Sequence, residues 1–363
     1  MKNSFAVTVL PGDGIGLEVT PAALTVANEA LKKTGGPALH FDEHAIGAGA
    51  YLETGTDFSD EAKASCEKSD AIYLGAAGLP HVRKADGTEI IPQVDLRFLL
   101  NLYAGVRPTR AIPGVPTPLA SPRAADINFV LVRESTEGLF YSIGRGTVED
   151  DKIARDYMVI TRDVTERVTA FAFEEARRRA HARPTVAIID KANVFVSFAF
   201  MRKVFDEVAQ KYPDVATERL YVDASTLSFL SRPWDFDVLV TENMFGDILS
   251  DLAAGLVGGM GYAPSADIGD NHAVFQPAHG SAPDIAGTGK ANPTAAILSA
   301  ALMLDWLGTR HEVPSMVDAS TLIHRAVDSA FETGALLTCE LGGMSGVREV
   351  TNGVLNALKS EHG

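Results

Sequence analysis

The chain has 363 residues, of which 46% are hydrophobic, and this length is sufficient for two domains or one large one. Its formal net charge of −15 argues against nucleic-acid binding, because phosphate recognition needs clustered Lys and Arg. The two cysteines, Cys66 and Cys339, are too few for a disulfide framework or a cysteine-based metal site.

The first predicted element is a strand at residues 5–10, and no signal-peptide pattern precedes it. No apolar run reaches the roughly 18 residues that a membrane-spanning helix needs. We therefore expect a cytoplasmic protein in a reducing compartment, with neither a membrane nor a nucleic acid as partner.

Predicted strands and helices alternate along the chain, which is typical of an α/β architecture with a parallel or mixed sheet. The strands are predicted at residues 5–10, 70–75, 127–132, 185–190, 219–223 and 236–240. The helices are predicted at residues 16–33, 60–68, 163–181, 194–211, 244–257, 293–307 and 318–333. Loops rich in proline and glycine, at 108–118 and 258–264, are candidate crossings between two lobes.

A glycine-rich turn, Pro11-Gly-Asp-Gly-Ile-Gly16, follows the first strand and opens a helix. It lacks the G-x-G-x-x-G spacing of dinucleotide-binding folds, and no acidic residue ends a second strand about 20 residues later. The spacing therefore favours a tight structural turn over a phosphate-binding loop.

Three arginines stand in distinctive settings, and Arg133 ends an apolar predicted strand, where a charge is unusual unless it faces a site. Arg97 and Arg107 precede it in the chain. The planar guanidinium suits two-point binding of a carboxylate. Taken alone, each is better interpreted as a surface or ion-paired arginine.

Lys191 and Asp223 each end a predicted strand, and Lys191 also starts the next predicted helix. Burial disfavours the charged form of a lysine, which suits proton transfer near neutral pH. Asp223 is a candidate carboxylate ligand for a metal ion. Taken alone, both are better interpreted as structural caps.

Asp247 and Asp251 are four residues apart in the predicted helix, so their carboxylates lie on one face. The rest of that helix is mostly apolar, which does not fit an ordinary solvated face. A hard divalent cation such as Mg²⁺ or Mn²⁺ would turn the repulsion between the two charges into a binding site.

The loop from His279 to Pro293 is rich in small residues that leave room for a planar ring. Asp284 is placed to accept hydrogen bonds from ribose hydroxyls. A carboxylate there also repels the extra phosphate of NADP and favours NAD.

Together these segments resemble the β-decarboxylating dehydrogenases, which include the isocitrate, isopropylmalate, homoisocitrate and tartrate/D-malate dehydrogenases. The segments Thr241–Asp251 and His279–Gly287 match the family motifs almost letter for letter, and the resemblance extends from Leu10 to Met303. It implies an isopropylmalate dehydrogenase-like α/β fold, with two lobes and a large mixed central sheet rather than a standard Rossmann fold. The implied large cofactor domain comprises residues 1–105 and 256–363. The implied small domain, residues 106–255, carries dimerisation, substrate and metal binding.

The resemblance implies an NAD-dependent 2-hydroxyacid dehydrogenase that oxidises and decarboxylates a 3-substituted malate, such as 3-isopropylmalate, D-malate or tartrate. Arg97, Arg107 and Arg133 would hold the substrate carboxylates, and Gln93 and Val94 would contact its C3 group. Asp247 and Asp251, with Asp223 of the partner subunit, would bind Mg²⁺ or Mn²⁺, and the partner's Lys191 would take the hydroxyl proton. The implied assembly is a homodimer with shared active sites, and the implied NAD-binding residues are Asn193, His279, Gly280, Ser281, Ala282, Asp284, Ile285 and Asn292.

One departure concerns the tyrosine that protonates the enolate in the family. Phe140 stands at the expected position and Tyr141 follows it. A shift of one residue along a strand points the side chain to the opposite face. Either a bulge brings Tyr141 into the site as the acid, or the acid is absent and oxidation without decarboxylation becomes the alternative.

The segment before Arg97 selects the C3 substituent in the family, and it also departs from the known patterns. Ile90, Ile91 and Val94 favour a partly apolar group, whereas Gln93 can bond a polar one. An isocitrate- or homoisocitrate-type substrate and a catalytically silent regulatory homologue therefore stay open as alternatives. Gln276 stands where the family usually has a glutamate beside the nicotinamide ribose.

Overall fold

The computed structural model describes residues 2–360. The strands in chain order are β1 Ser4–Gly12, β2 Ala38–Glu43, β3 Ala71–Ala76, β4 Ala104–Arg110, β5 Asn128–Glu134, β6 Thr147–Glu149, β7 Ile153–Arg155, β8 Thr185–Asp190, β9 Ala216–Tyr221, β10 Val238–Thr241, β11 Pro264–Ile268 and β12 Ala273–Pro277. The α-helices are α1 Gly16–Thr34, α2 Ala48–Thr54, α3 Asp60–Lys68, α4 Pro92–Leu99, α5 Arg162–Arg179, α6 Val196–Ala209, α7 Val222–Ser231, α8 Asn243–Leu256, α9 Thr294–Arg310, α10 Pro314–Glu332 and α11 Val347–Ser360.

Within residues 2–360, ten strands form one sheet in the order β2-β1-β3-β12-β11-β4-β5-β10-β8-β9. The outer strands on both sides pair in parallel. Around the middle, β11 pairs antiparallel with both β12 and β4, and β4 pairs antiparallel with β5. The sheet is therefore large and mixed, which confirms the predicted fold class.

The sheet joins two parts of the chain at the pairing of β4 with β11. Strands from residues 4–76 and 264–277 occupy one half, and strands from residues 104–241 occupy the other. The two implied domains and their boundaries stay a prediction. The predicted domain ends at residues 1 and 361–363 lie outside the described residues.

The largest core packs helices against one face of this sheet. Helix α9 is apolar on nearly all sides and lies among α1, α10 and the strands β11 and β12. In the other half, α5 packs against β5, β8 and β10. None of the helices in residues 2–360 is long and apolar enough to cross a bilayer.

Two local predictions were wrong, and both concern residues implied to act in the site. Strand β9 ends at Tyr221, so Asp223 lies in the first turn of α7 and does not end a strand. Lys191 follows β8 directly, but α6 begins only at Val196, so Lys191 lies in the connecting loop.

Candidate functional site

A cavity of about 320 Å³ opens beside the junction of β4 and β11. It is lined from α4, from the strands β4, β5 and β12, and from one face of α8. The cavity brings together predicted site residues that are far apart in the chain: Gln93, Val94, Arg97, Arg107, Arg133, Asp247, Asp251, His279 and Gly280.

The three predicted arginines are all buried beneath this cavity. Nε of Arg97 donates to Asp267 at 3.0 Å, and a terminal nitrogen of Arg107 donates to the same carboxylate at 3.1 Å. Nε of Arg133 donates to the side-chain oxygen of Asn243 at 2.9 Å, and Arg133 also forms an ion pair with Asp247. Each guanidinium is therefore held by the protein on one side before any ligand arrives.

Burial and the neighbouring charges shift the pKa values within this arginine cluster. Burial, together with the nearby charges of Arg97 and Arg107, lowers the pKa of Arg133 to about 10, and only Asp247 and Asp267 oppose this. Burial by itself raises the pKa of Asp267, but the three arginines outweigh it and hold that pKa at about 2. A carboxylate entering the cavity would relieve the remaining repulsion.

Asp247 and Asp251 lie on one face of α8, as their spacing predicted, and both line the cavity. The helix starts at Asn243 because Glu242 caps it, accepting hydrogen bonds from the backbone nitrogens of Met244 and Phe245. Partial burial and the charge of Asp247 raise the pKa of Asp251. Two adjacent carboxylates with unfavourable charge interaction fit a hard divalent cation.

A complete metal site needs a further ligand, because no group of three His, Cys, Asp or Glu side chains suited to a metal exists within residues 2–360. The third predicted ligand, Asp223, accepts a hydrogen bond from Lys191 at 2.7 Å, and neither residue lines the cavity. The hydrogen bond from Lys191 lowers the pKa of Asp223. Asn193, in the same loop as Lys191, is exposed and also lies away from the cavity.

The segment after β5 places Phe140, not Tyr141, against the cavity. Glu134 accepts hydrogen bonds from the backbone nitrogens of Thr136 and Glu137, which turns the chain out of the sheet. Residues Leu139–Ser142 then form a short 3₁₀ helix, so the argument from strand faces was wrong.

The two aromatic rings have different surroundings in that turn. The guanidinium of Arg133 lies 5.1 Å from the centre of the Phe140 ring. Tyr141 instead packs beside Tyr157 and under Arg145. No bulge brings Tyr141 to the cavity in this chain, and its predicted role as the acid gains no support.

The glycine turn after β1 supports the loop that contains the predicted NAD residues. Gly14 has a φ of 56°, and a Cβ there would stand 2.0 Å from the carbonyl oxygen of Ser281. The backbone nitrogen of Ile15 donates to the same oxygen at 2.8 Å. Glu18, in the first turn of α1, accepts hydrogen bonds from Gly287 and Gly289. This geometry agrees with a tight structural turn.

His279 and Asn292 lie at the two ends of the predicted NAD loop. Of the two, only His279 has a buried side-chain atom without a hydrogen-bond partner within residues 2–360. Burial lowers the pKa of His279, and its buried Nε2 has no hydrogen-bond partner in the described part of the chain. The side chain of Asn292 is occupied, since it donates to Glu340 and accepts from Thr294 at the start of α9. The orphaned His279 nitrogen fits a ligand that brings a polar group into this end of the cavity.

The predicted residues between these ends differ in their exposure. Asp284 is exposed, and the hydroxyl of Ser281 donates to the carbonyl of Gly78, whereas Ala282 and Ile285 are half-buried against the core. An exposed carboxylate at Asp284 is compatible with hydrogen bonding to ribose hydroxyls.

The sequence prediction missed Asp267, a buried carboxylate that pairs with two of the predicted arginines. It lies on β11, is 1% exposed, and accepts hydrogen bonds from Arg97, Arg107 and the amide of Gln276. A charged residue inside an otherwise apolar segment was the available signal. The strand around it was not predicted, so that signal was not recognised.

Comparisons with known proteins identify the family that this chain resembles. The profile described as isocitrate/isopropylmalate dehydrogenase matches residues 6–354. The 3-isopropylmalate dehydrogenase of Bifidobacterium longum subsp. infantis is 40% identical over 340 residues, which cover 92% of this chain and 94% of that protein. The 3-isopropylmalate/3-methylmalate dehydrogenase of Methanocaldococcus jannaschii is 40% identical over 358 residues, which cover 98% of this chain and 99% of that protein.

A solved structure extends the likeness to three dimensions. The crystal structure of isocitrate dehydrogenase from Methylococcus capsulatus superposes with a TM-score of 0.83 at 35% identity. The match covers 98% of this chain and 100% of that one.

Proposed function

Because the chain belongs to the isocitrate/isopropylmalate dehydrogenase family, we propose that it oxidises a malate-type 2-hydroxyacid with NAD and a divalent metal ion. The observation that carries this proposal is the cavity in which three buried arginines face two carboxylates of α8. The arginines concentrate positive charge in a chain of net charge −15, as the recognition of a small dicarboxylate requires.

The proposed division of labour follows from these side chains. Arg97, Arg107 and Arg133 hold the substrate carboxylates and fix the hydroxyl-bearing carbon in place. Asp247 and Asp251, with Asp223 of the partner subunit, would hold Mg²⁺ or Mn²⁺. When bound, such an ion polarises the substrate oxygen and stabilises negative charge on it.

Proton removal is assigned to the partner's Lys191, which accepts the hydroxyl proton as hydride passes to NAD. In one protomer Lys191 pairs with Asp223 outside the cavity, so the site would be incomplete without a second chain. The NAD end of the cavity is bordered by His279 and Gly280.

We propose a homodimer because apolar side chains are exposed on α7, on α8 and in the loop after Lys191. Leu227 on α7 and Ile248 on α8 are 68% and 60% exposed, and the loop residues Val194 and Phe195 are also exposed. Large apolar side chains clustered on a surface mark a protein interface. Val194 and Phe195 lie in the same loop as Lys191, so a partner packed on this surface would bring its cavity near that lysine.

Oxidation without decarboxylation is a second candidate function, and Phe140 favours it. This residue lines the cavity at the position where the family carries its acidic tyrosine, and a phenyl ring has no proton to deliver. The two candidates share every other step.

The test is a turnover assay with NAD, Mn²⁺ and a panel of 3-isopropylmalate, D-malate, tartrate and isocitrate. We expect NADH formation with at least one substrate and its loss in Asp251→Asn. Equal amounts of CO₂ and NADH support decarboxylation, and NADH without CO₂ supports the second candidate. NAD binding without oxidation of any substrate would falsify the dehydrogenase proposal and support a regulatory homologue.

A further inference from the structure

Asp267 lies at the centre of a buried charge network beneath the cavity. Its strand, β11, pairs with β4, and Asp267 stands directly opposite Gly105 in that register. A Cβ at Gly105 would approach an oxygen of Asp267 to 3.1 Å, so the absence of a side chain leaves the space that the carboxylate fills. A buried carboxylate is retained only when it is well paired.

The two oxygens of Asp267 bind different arginines. Oδ2 accepts from Nε of Arg97 at 3.0 Å, and Oδ1 accepts from a terminal nitrogen of Arg107 at 3.1 Å. Oδ2 also accepts from the amide nitrogen of Gln276 at 3.0 Å. One carboxylate therefore bridges side chains from α4, β4 and β12.

This bridge uses only part of each guanidinium. Arg97 gives its Nε–H to Asp267, and its two terminal nitrogens have no hydrogen-bond partner within residues 2–360. Arg107 gives one terminal nitrogen to Asp267 and the other to the carbonyls of Val106 and Ala266. Both arginines line the cavity, so the donors that remain are available to an anionic ligand there.

We propose that Asp267 is a positioning residue that fixes Arg97 and Arg107 in the orientation that binds a substrate carboxylate. The identity of that ligand as a malate-type hydroxyacid rests on the proposed function. The same carboxylate fixes the amide of Gln276, which borders the cavity beside the two arginines. An arginine held in this way loses less conformational freedom when it binds its ligand.

The test replaces the charge while keeping the shape of the side chain. In Asp267→Asn a single acceptor oxygen remains, so the residue no longer bridges both arginines. We expect KM for the hydroxyacid to rise at least about tenfold, while kcat and KM for NAD change less than about threefold. The matched control is Asp328→Asn, which removes the carboxylate from a pair with Arg110 outside the cavity and leaves all three constants unchanged.

A charge swap separates positioning from a general structural effect. The double variant Asp267→Asn with Gln276→Glu returns a carboxylate to the same hydrogen bond with its direction reversed. Arg97 and Gln276 share Oδ2 of Asp267, so Glu at position 276 would place a carboxylate beside Arg97, and we expect KM for the hydroxyacid to recover in part. If the single variant does not fold, KM for the hydroxyacid is measured in the double variant instead.

Three results would overturn the proposal. One is a folded Asp267→Asn protein whose hydroxyacid KM is unchanged. Another is an equal loss in kcat and in both KM values without recovery in the double variant. The third is failure of both Asp267 variants to fold while Asp328→Asn folds, since this would assign Asp267 to stability alone.

A crystal structure of the Asp267→Asn protein gives a readout that needs no ligand. Positioning predicts that the guanidinium groups of Arg97 and Arg107 leave their wild-type places while β4 and β11 stay paired. Unmoved guanidinium groups would contradict it. Absence of turnover in the wild-type protein would overturn the dehydrogenase proposal and leave this structural comparison intact.

Discussion

Gln93 carries an unpaired polar atom in the part of the cavity that the proposed function assigns to the C3 group of the substrate. Its side-chain oxygen is buried and has no hydrogen-bond partner in the described residues. Ile91 and Val94 line the same region with apolar surface. A buried amide without a partner costs about 1–3 kcal/mol, and a substrate hydroxyl would recover it.

We expect Gln93→Leu to change substrate preference without lowering stability, because it removes the unpaired amide. The ratio of kcat/KM for tartrate to kcat/KM for 3-isopropylmalate should fall roughly tenfold or more, because the leucine offers no partner to a polar C3 group. The assay compares both substrates side by side. Gln210→Leu, at an exposed position on the surface, is the control, and an unchanged ratio in Gln93→Leu would contradict the prediction.

A second residue-scale prediction concerns stability at acidic pH. Burial, followed by the charge of Arg110, lowers the pKa of His324 from 6.5 to about 4. Between these values the unfolded chain binds a proton that the folded protein does not. The free energy of unfolding should therefore fall as the pH drops from 6.5 to 4, by about 1–3 kcal/mol from this group.

Urea denaturation at pH 7 and at pH 4.5 measures this effect. In His324→Gln the difference in unfolding free energy between the two pH values should shrink, whereas in His40→Gln, at an exposed position, it should not. An identical pH dependence in wild type and His324→Gln would show that this histidine is not responsible.

At the scale of elements, the turn between β1 and α1 links the core to the loop beginning at His279. Gly14→Ala places a methyl group against the carbonyl of Ser281 and forces alanine into a positive φ. We expect a loss of stability of at least about 2 kcal/mol and a rise in KM for NAD of roughly tenfold.

Gly55→Ala supplies the matched control for that prediction. Gly55 also has a positive φ, of 81°, but a Cβ there meets nothing within 4 Å. It should lose only about 1–2 kcal/mol from backbone strain and keep its KM for NAD. Thermal unfolding and NAD titration in the kinetic assay distinguish the two variants, and equal effects on KM would refute a link between the turn and the loop.

The sequence predicted most elements in the outer parts of the sheet and several residues of the cavity. All six predicted strands and all seven predicted helices correspond to elements of the structure; β8 and α3 have the predicted ends, and the other elements have shifted ends. Strands β4 and β11 were missed because Arg107, Pro108 and Asp267 interrupt their apolar patterns. Arg107 and Asp267 pair with each other across 160 positions of sequence, and such a pairing has no local signal.

At the scale of the whole molecule, the cavity draws on both implied domains through the antiparallel pairing of β4 and β11. Arg107 comes from one part of the chain and Asp267 from the other, so any change in the relation between the parts alters the arginine cluster. Lys191 and Asp223 remain outside the cavity in a single protomer. Under the proposed function, a second copy of the chain would supply these two residues.

Disrupting the proposed interface should remove activity without unfolding the protomer. Leu227→Glu would bury a carboxylate in the homodimer interface, whereas water solvates the same carboxylate in a monomer. We therefore expect a monomer with little turnover. Light scattering and the turnover assay measure the two effects. Leu52→Glu, at a position 66% exposed on α2, is the control and should remain dimeric and active.

Complementation between two inactive proteins tests shared sites directly. Lys191→Ala and Asp251→Asn should each abolish turnover, because each damages both sites of its own dimer. In a mixed dimer, one site would combine intact Asp251 from one chain with intact Lys191 from the other, and the second site would hold both substitutions. Equimolar unfolding and refolding should therefore restore about a quarter of wild-type activity, since half of the dimers are mixed and each has one intact site. Activity that stays at the level of the separate variants would place Lys191 and Asp251 of the same chain in one site, or remove Lys191 from the chemistry.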